Sequence, residues 1–194
     1  MVRRHFVWII GVGLALSLSL GQPLAQTIPI PFRGIQSDDS NALVKAAAQN
    51  DTAEVQRQLS LGSSPDRVDG QGRTALIYAA MLDNAAMAKM LVDHGANVKA
   101  HDKLGNASLH WAAERGAVGV MNLLLAANAP VDDLNKQGIT PLMMAAGAGA
   151  APAVKLLLTK GADPKKQDFS GRDAEGWAAG KPAVLQVLSG SKSG

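Results

Sequence analysis

The sequence predicts an all-α solenoid of helix–turn–helix units joined by short hairpin-like turns, about five units including the end caps. Three observations predict it. The chain repeats itself every 33 residues: Asp69, Asp102, Asn135 and Asp168 keep that spacing, as do Gly72, Gly105, Gly138 and Gly171. Paired alanines recur in phase with them, at Ala79-Ala80, Ala112-Ala113, Ala145-Ala146 and Ala178-Ala179. Hydrophobic residues make up 47% of the chain but aromatics only 4%. Such a core is built from many small aliphatic contacts, which suits stacked helices better than a sandwich or barrel.

Residues 1–25 precede the repeats and read as an address. Arg3, Arg4 and His5 are followed by the apolar stretch from Phe6 to Leu20 and then by polar Gly21 to Gln26. That is the three-part plan of a secretory signal peptide. The apolar stretch falls short of the ~20 residues that a membrane-spanning helix needs. Cleavage after Ala25 or after Gly21 is expected. An uncleaved anchor is the alternative, and the paired arginines resemble part of a twin-arginine export signal. A periplasmic or secreted location follows, with no membrane contact after cleavage. Residues 26–40 carry Pro29 and Pro31 close together, which forbids helix and predicts an extended arm. Residues 189–194 read as a flexible Ser/Gly-rich tail.

Within each repeat the order of residues has a local reason. Asp or Asn with Gly three residues on makes a tight polar turn. Thr140 can cap the first helix with its hydroxyl, and Pro141 suits its first turn. Thr74-Ala75 is a weaker version, and Ala107 leaves the third unit without that cap. The alanine pairs let a neighbouring helix approach closely. Gly116 and Gly149 can end the short helix in the left-handed conformation, and Asp83-Asn84 can imitate this. Met87, Met90 and Leu91, then Val120, Leu123 and Leu124, then Val154, Leu156 and Leu157 mark the apolar face of a second helix. One unit cannot bury both faces alone, whereas a stack can.

The units are expected at 41–68, 69–101, 102–134, 135–167 and 168–188. Gln56, Arg57 and Gln58 make the first a water-facing cap. The last has Glu175 where the others have Leu76, Leu109 and Leu142, and a shortened loop at Gly180-Lys181-Pro182. Thr140-Pro141-Leu142 with Ala145-Ala146, Ser108-Leu109-His110 with Ala112-Ala113, and Leu91 with Gly95-Ala96-Asn97-Val98 carry a pattern that resembles the ankyrin repeat. The resemblance runs from about Asn41 to Leu188. It implies that His110 braces one repeat against the next by hydrogen bonds.

The chemistry of an enzyme is not visible. There is no cysteine, hence no disulfide, thiolate nucleophile or Cys-based zinc site. Ser108 and His110 lie two apart on one short helix and diverge, so no hydrolase triad is expected. His94 and His101 flank a closing turn and read as solvated rather than metal ligands. Gly180-Lys181 lacks the spacing of a phosphate loop. No cofactor and no metal are expected. Net charge is +3, and without Arg3 and Arg4 it falls to +1 with no basic run, which argues against nucleic acid. Tyr78, Trp111, Met144 and Trp177 occupy equivalent places before the alanine pairs and read as packing groups.

What the resemblance implies instead is a protein partner, bound by a chain that is monomeric on its own. In ankyrin repeats the turn tips and the ends of the short helices line a concave contact face. Carried onto this sequence, that face comprises Gln71, Arg73, Met81 and Leu82, then Lys103, Leu104, Asn106, Glu114 and Arg115. It continues through Lys136, Gln137 and Ile139 to Phe169 and Arg172. Several apolar residues along one groove suggest an interaction patch, with arginines supplying oriented hydrogen bonds. The expected role is a periplasmic binding or scaffold protein. An inhibitor or immunity-type protein that blocks a partner enzyme is an alternative, as is a membrane-tethered adaptor that retains its N-terminal helix.

Overall fold

The repeat unit is visible from its first complete copy. In a computed structural model, which describes residues 41–190, α3 (Ala75–Met81) and α4 (Ala85–Asp93) form an antiparallel pair. The same pair recurs as α5 (Ser108–Arg115) with α6 (Val118–Ala126) and as α7 (Pro141–Ala148) with α8 (Ala151–Thr159). Before them stand α1 (Ala42–Ala48) and α2 (Thr52–Ser60); after them come α9 (Ala174–Trp177) and α10 (Pro182–Gly190). The first helices pack in one row, α1 on α3 on α5 on α7 on α9, and the second helices in a parallel row. Among the described residues there is no strand, only two isolated bridges, Val68 to Thr74 and His101 to Ala107, which close turns between repeats.

Helix starts follow the sequence closely. Thr140 Oγ1 accepts the Met143 N–H at 3.2 Å. Thr74 does the same for Ile77 at the same distance, so it is a full cap rather than a weaker one. Ala107 offers no oxygen. There the His110 ring turns back, and its Nδ1 accepts the Ala107 N–H at 3.1 Å. Helix ends also follow: Gly116 and Gly149 take φ of 68° and 77°, and Asp83 takes the same region at 53°.

The leucines in register, Leu76, Leu109 and Leu142, are buried, as are the alanine pairs that precede the last unit. Each such leucine contributes about 1.5–3 kcal/mol by leaving water. Ala179 is exposed where Ala80, Ala113 and Ala146 are not. Among the described residues no further repeat follows Ala179, whereas a later repeat packs against each of the units that hold Ala80, Ala113 and Ala146. The second helices bury a narrower face than their spacing suggests. Met87 and Leu91, Val120 and Leu124, and Val154 and Leu157 are fully inside, while Met90, Leu123 and Leu156 pack only partly.

The last unit keeps its place in spite of Glu175. Its first helix is cut to four residues, but Ala174 and Ala178 are buried against α7, and α10 buries Val184 and Leu188. Ser189 and Gly190, expected in the tail, are the last residues of α10. The expected signal peptide and N-terminal arm, and the remainder of the tail, lie outside the described residues. No helix among the described residues is long and apolar enough to cross a membrane.

Candidate partner-binding face

The turn tips are built around one side chain. Asp102 Oδ1 accepts the N–H groups of Leu104 and Asn106, both at 2.9 Å. Its Oδ2 accepts the indole N–H of Trp111 at 3.0 Å. Asp69 does the same with Gln71, Arg73 and the Tyr78 hydroxyl, and Asp168 with Ser170, Arg172 and the Trp177 indole. The aspartate is thus more than a turn former, since it also ties each tip to the ring nine residues later. The Ser170 hydroxyl leads a set of donors that holds the Asp168 carboxyl below the ordinary carboxylate range.

The fourth unit breaks this pattern at both ends at once. Met144 has no donor to offer, and the turn residue is Asn135 instead of Asp. Its Oδ1 still orders the turn, accepting from Gln137 and Ile139 at 2.9 and 3.0 Å. Its amide donates backward to Asn106 Oδ1 at 2.8 Å. A carboxylate here would have set an oxygen, with no proton to donate, against the Asn106 oxygen.

Successive tips are joined through their backbones. Lys103 N–H donates to Gln71 O at 2.9 Å, Lys136 N–H to Leu104 O at 3.2 Å, and Phe169 N–H to Gln137 O at 3.0 Å. The tips approach so closely that a Cβ on Gly105 would lie 2.7 Å from the Lys136 nitrogen. His110 adds the expected brace: its Nε2 lies 3.1 Å from Ile139 O in the next unit. With Nδ1 already accepting, Nε2 must carry the proton and donate. Burial holds this imidazole below its usual pKa. His101 is not simply solvated, because its Nε2 lies 2.7 Å from Asp133 Oδ2 of the following unit.

Along this joined surface the expected contact residues separate into two groups. Leu104 and Phe169 are 52% and 78% exposed, and Leu82 40%, so three large apolar groups stand on the surface. Gln71, Lys103, Glu114, Arg115, Lys136 and Gln137 are exposed with them, and Met81 and Ile139 are half-buried. Asn106 borders a hollow on this face but is otherwise set apart from these residues. It is 4% exposed, and its oxygen is spent on Asn135, so it holds two repeats together. Arg73 is not a free donor either. Its guanidinium lies over the Tyr78 and Trp111 rings, 5.8 and 5.6 Å from their centres, and its buried Nε has no hydrogen-bond partner. Arg172 stacks at 4.4 Å on Trp177 and reaches Asp168 at 3.2 Å, but stays exposed.

Two hollows open side by side on this face, of about 490 and 540 Å³. Both are lined by Gln137, Ile139 and Trp177. One continues to Glu114, Met144, Gly147 and Ala148, the other to Lys136, Phe169 and Arg172. Of the expected contact residues, those of the fourth and last tips line these hollows, with Glu114 at the end of the preceding short helix. Sequence reasoning assigned no role at the surface to Met144, Gly147 and Trp177. The signal was present in the break of the aromatic stripe at Met144.

A family model described as ankyrin repeats (3 copies) matches residues 43–133, and a second, ankyrin repeats (many copies), matches 124–174. No curated protein matches the chain. The 33-residue period, the paired rows of helices and the two matches running from 43 to 174 agree, and the chain belongs to the ankyrin-repeat family.

Proposed function

We propose that this chain is a binding or scaffold protein that holds a partner protein against the face formed by its turn tips and short-helix ends, and that it acts outside the cytoplasm. Ankyrin repeats are in general protein–protein interaction modules, typically without catalysis of their own. The observation that carries the reading here is the exposure of Leu104 and Phe169 on tips whose backbones are already fully joined. The Phe169 ring rests on the neighbouring tip at Gly138 yet keeps most of its surface in water beside the hollow, and Leu104 stands out from the preceding tip, as interface anchors do. Export rests on the sequence of Arg3-Arg4, the apolar Phe6 to Leu20 stretch and the polar segment after it.

The test is affinity capture from periplasmic extract, mass spectrometry of what is held, and titration of the purified partner. Leu104→Ala or Arg115→Ala should weaken that binding by about 1–3 kcal/mol while the melting temperature stays unchanged. If both variants lose affinity only as much as they lose stability, the face is not the binding site. Recovery of the mature N-terminus by sequencing tests export: a start near Gln22 or Gln26 is expected, and an intact Met1 in the membrane fraction would contradict it.

A further inference from the structure

The binding face is not uniform, and its composition points to the chemistry of what it holds. The double hollow has an apolar floor made by Ile139, Met144 and the Trp177 ring. It exists because Met144 stands where other repeats carry a ring and because position 147 is a glycine; a Cβ there would meet the Trp177 ring at 2.9 Å. One rim carries Lys136 and Arg172, both exposed. Arg172 is held in place by its stack on Trp177. The opposing charges on this stretch are largely committed. Asp168 is 6% exposed, and both its oxygens are taken by Ser170, Arg172 and Trp177. Glu114 stands alone on the far rim.

Building on the proposed protein-binding role, we infer that the occupant is a segment of a partner protein in which a large apolar side chain fills the hollow over Ile139, Met144 and Trp177 while a neighbouring Asp or Glu meets Lys136 and Arg172. An aromatic or leucine anchor suits a hollow of this size and lining. An acidic neighbour is attracted by the two cations of the rim, and a basic neighbour is repelled. Arg172 is suited to a carboxylate because its planar fork is already oriented: Nε donates to Ser170 Oγ and Nη2 reaches Asp168, which leaves Nη1 for the partner.

The experiment is a selection of displayed random peptides on the purified, immobilised chain, followed by titration of a synthetic peptide of the enriched sequence. Melting by circular dichroism checks each variant. Enriched peptides should place Asp or Glu within a few residues of Trp, Phe or Leu, and their affinity should fall as salt rises. Lys136→Glu should weaken the synthetic peptide about tenfold or more, and Ile139→Arg should do so by filling the hollow. The inference is overturned by three results: no enrichment, enrichment of peptides without acidic residues, or binding that survives both substitutions. If binding survives those two but is lost in Leu104→Ala or Arg115→Ala, the acidic-anchor inference falls and the broader face reading stands. If it is insensitive to all four, both fall.

Discussion

Arg73 and Ile139 occupy the same position two repeats apart, and they leave the same backbone with opposite surfaces. At the first, a guanidinium reaches across from Tyr78 to Trp111 and covers both rings. At the second, a branched aliphatic stands beside Met144, and the groove stays open to a hollow of about 490 Å³. The turns beneath are equivalent: Asp69 and Asn135 each order two backbone N–H groups with one oxygen. The scaffold therefore sets where a pocket can exist, and two side chains per repeat decide whether it does. Stability lives in the shared turn and helix positions, and the shape of the surface in the positions that differ.

The comparison predicts a graded series of variants. Leu109→Ala attacks the layer common to both regions and should cost the most, about 2–5 kcal/mol in urea unfolding, through the cavity it leaves. Asp102→Ala should come next, at about 2–3 kcal/mol, because it strands the buried Asn106 N–H and releases Leu104 and the Trp111 indole together. Asn135→Ala should cost somewhat less than Asp102→Ala, since the bonds it removes, including the one to the buried Asn106 oxygen, are made by a neutral amide rather than a carboxylate. A larger loss in Asn135→Ala would break the comparison.

Acid should act through His110. Its pKa is lowered in the folded chain by burial, so the unfolded chain takes up the proton first as pH falls below the ordinary 6.5. The stability it contributes is complete above that value and is lost as pH drops through it toward the folded value. Protonation would also place a hydrogen on Nδ1, against the Ala107 N–H. Melting temperatures between about pH 7.5 and 5.5 should fall, and His110→Gln should flatten that fall. The smallest stability effects come from exchanging the two surfaces. Arg73→Ile should cost about 1 kcal/mol by removing its stacking. Ile139→Arg should change the urea midpoint little, by about 0.5 kcal/mol or less, yet remove partner binding.

The stack was legible in the sequence because its causes are local and repeated. Leu76, Leu109 and Leu142, the alanine pairs before the last unit, Thr140 and Gly116 each do in space what their spacing predicts. The brace by His110 was legible through the family resemblance. What was not legible depends on pairs across a turn. The Asp-to-ring bond spans nine residues and joins a turn former to a residue that reads as core, and neither residue alone signals it. Asn106 reads as a polar tip residue, but the reach of Asn135 from the next repeat buries it. Arg73 reads as a free arginine, because only the stacking of two repeats brings Trp111 beneath it. The hollow was partly written in Met144 breaking the aromatic stripe, but its width depends on Gly147 and Trp177 meeting between repeats.

Amide hydrogen exchange of the chain with and without its captured partner tests the central claim most directly. Slowed exchange is predicted at 103–104, 136–139 and 169–172, with α4, α6 and α8 unchanged. Slowing confined to those second helices, with the tips exchanging as before, would contradict it.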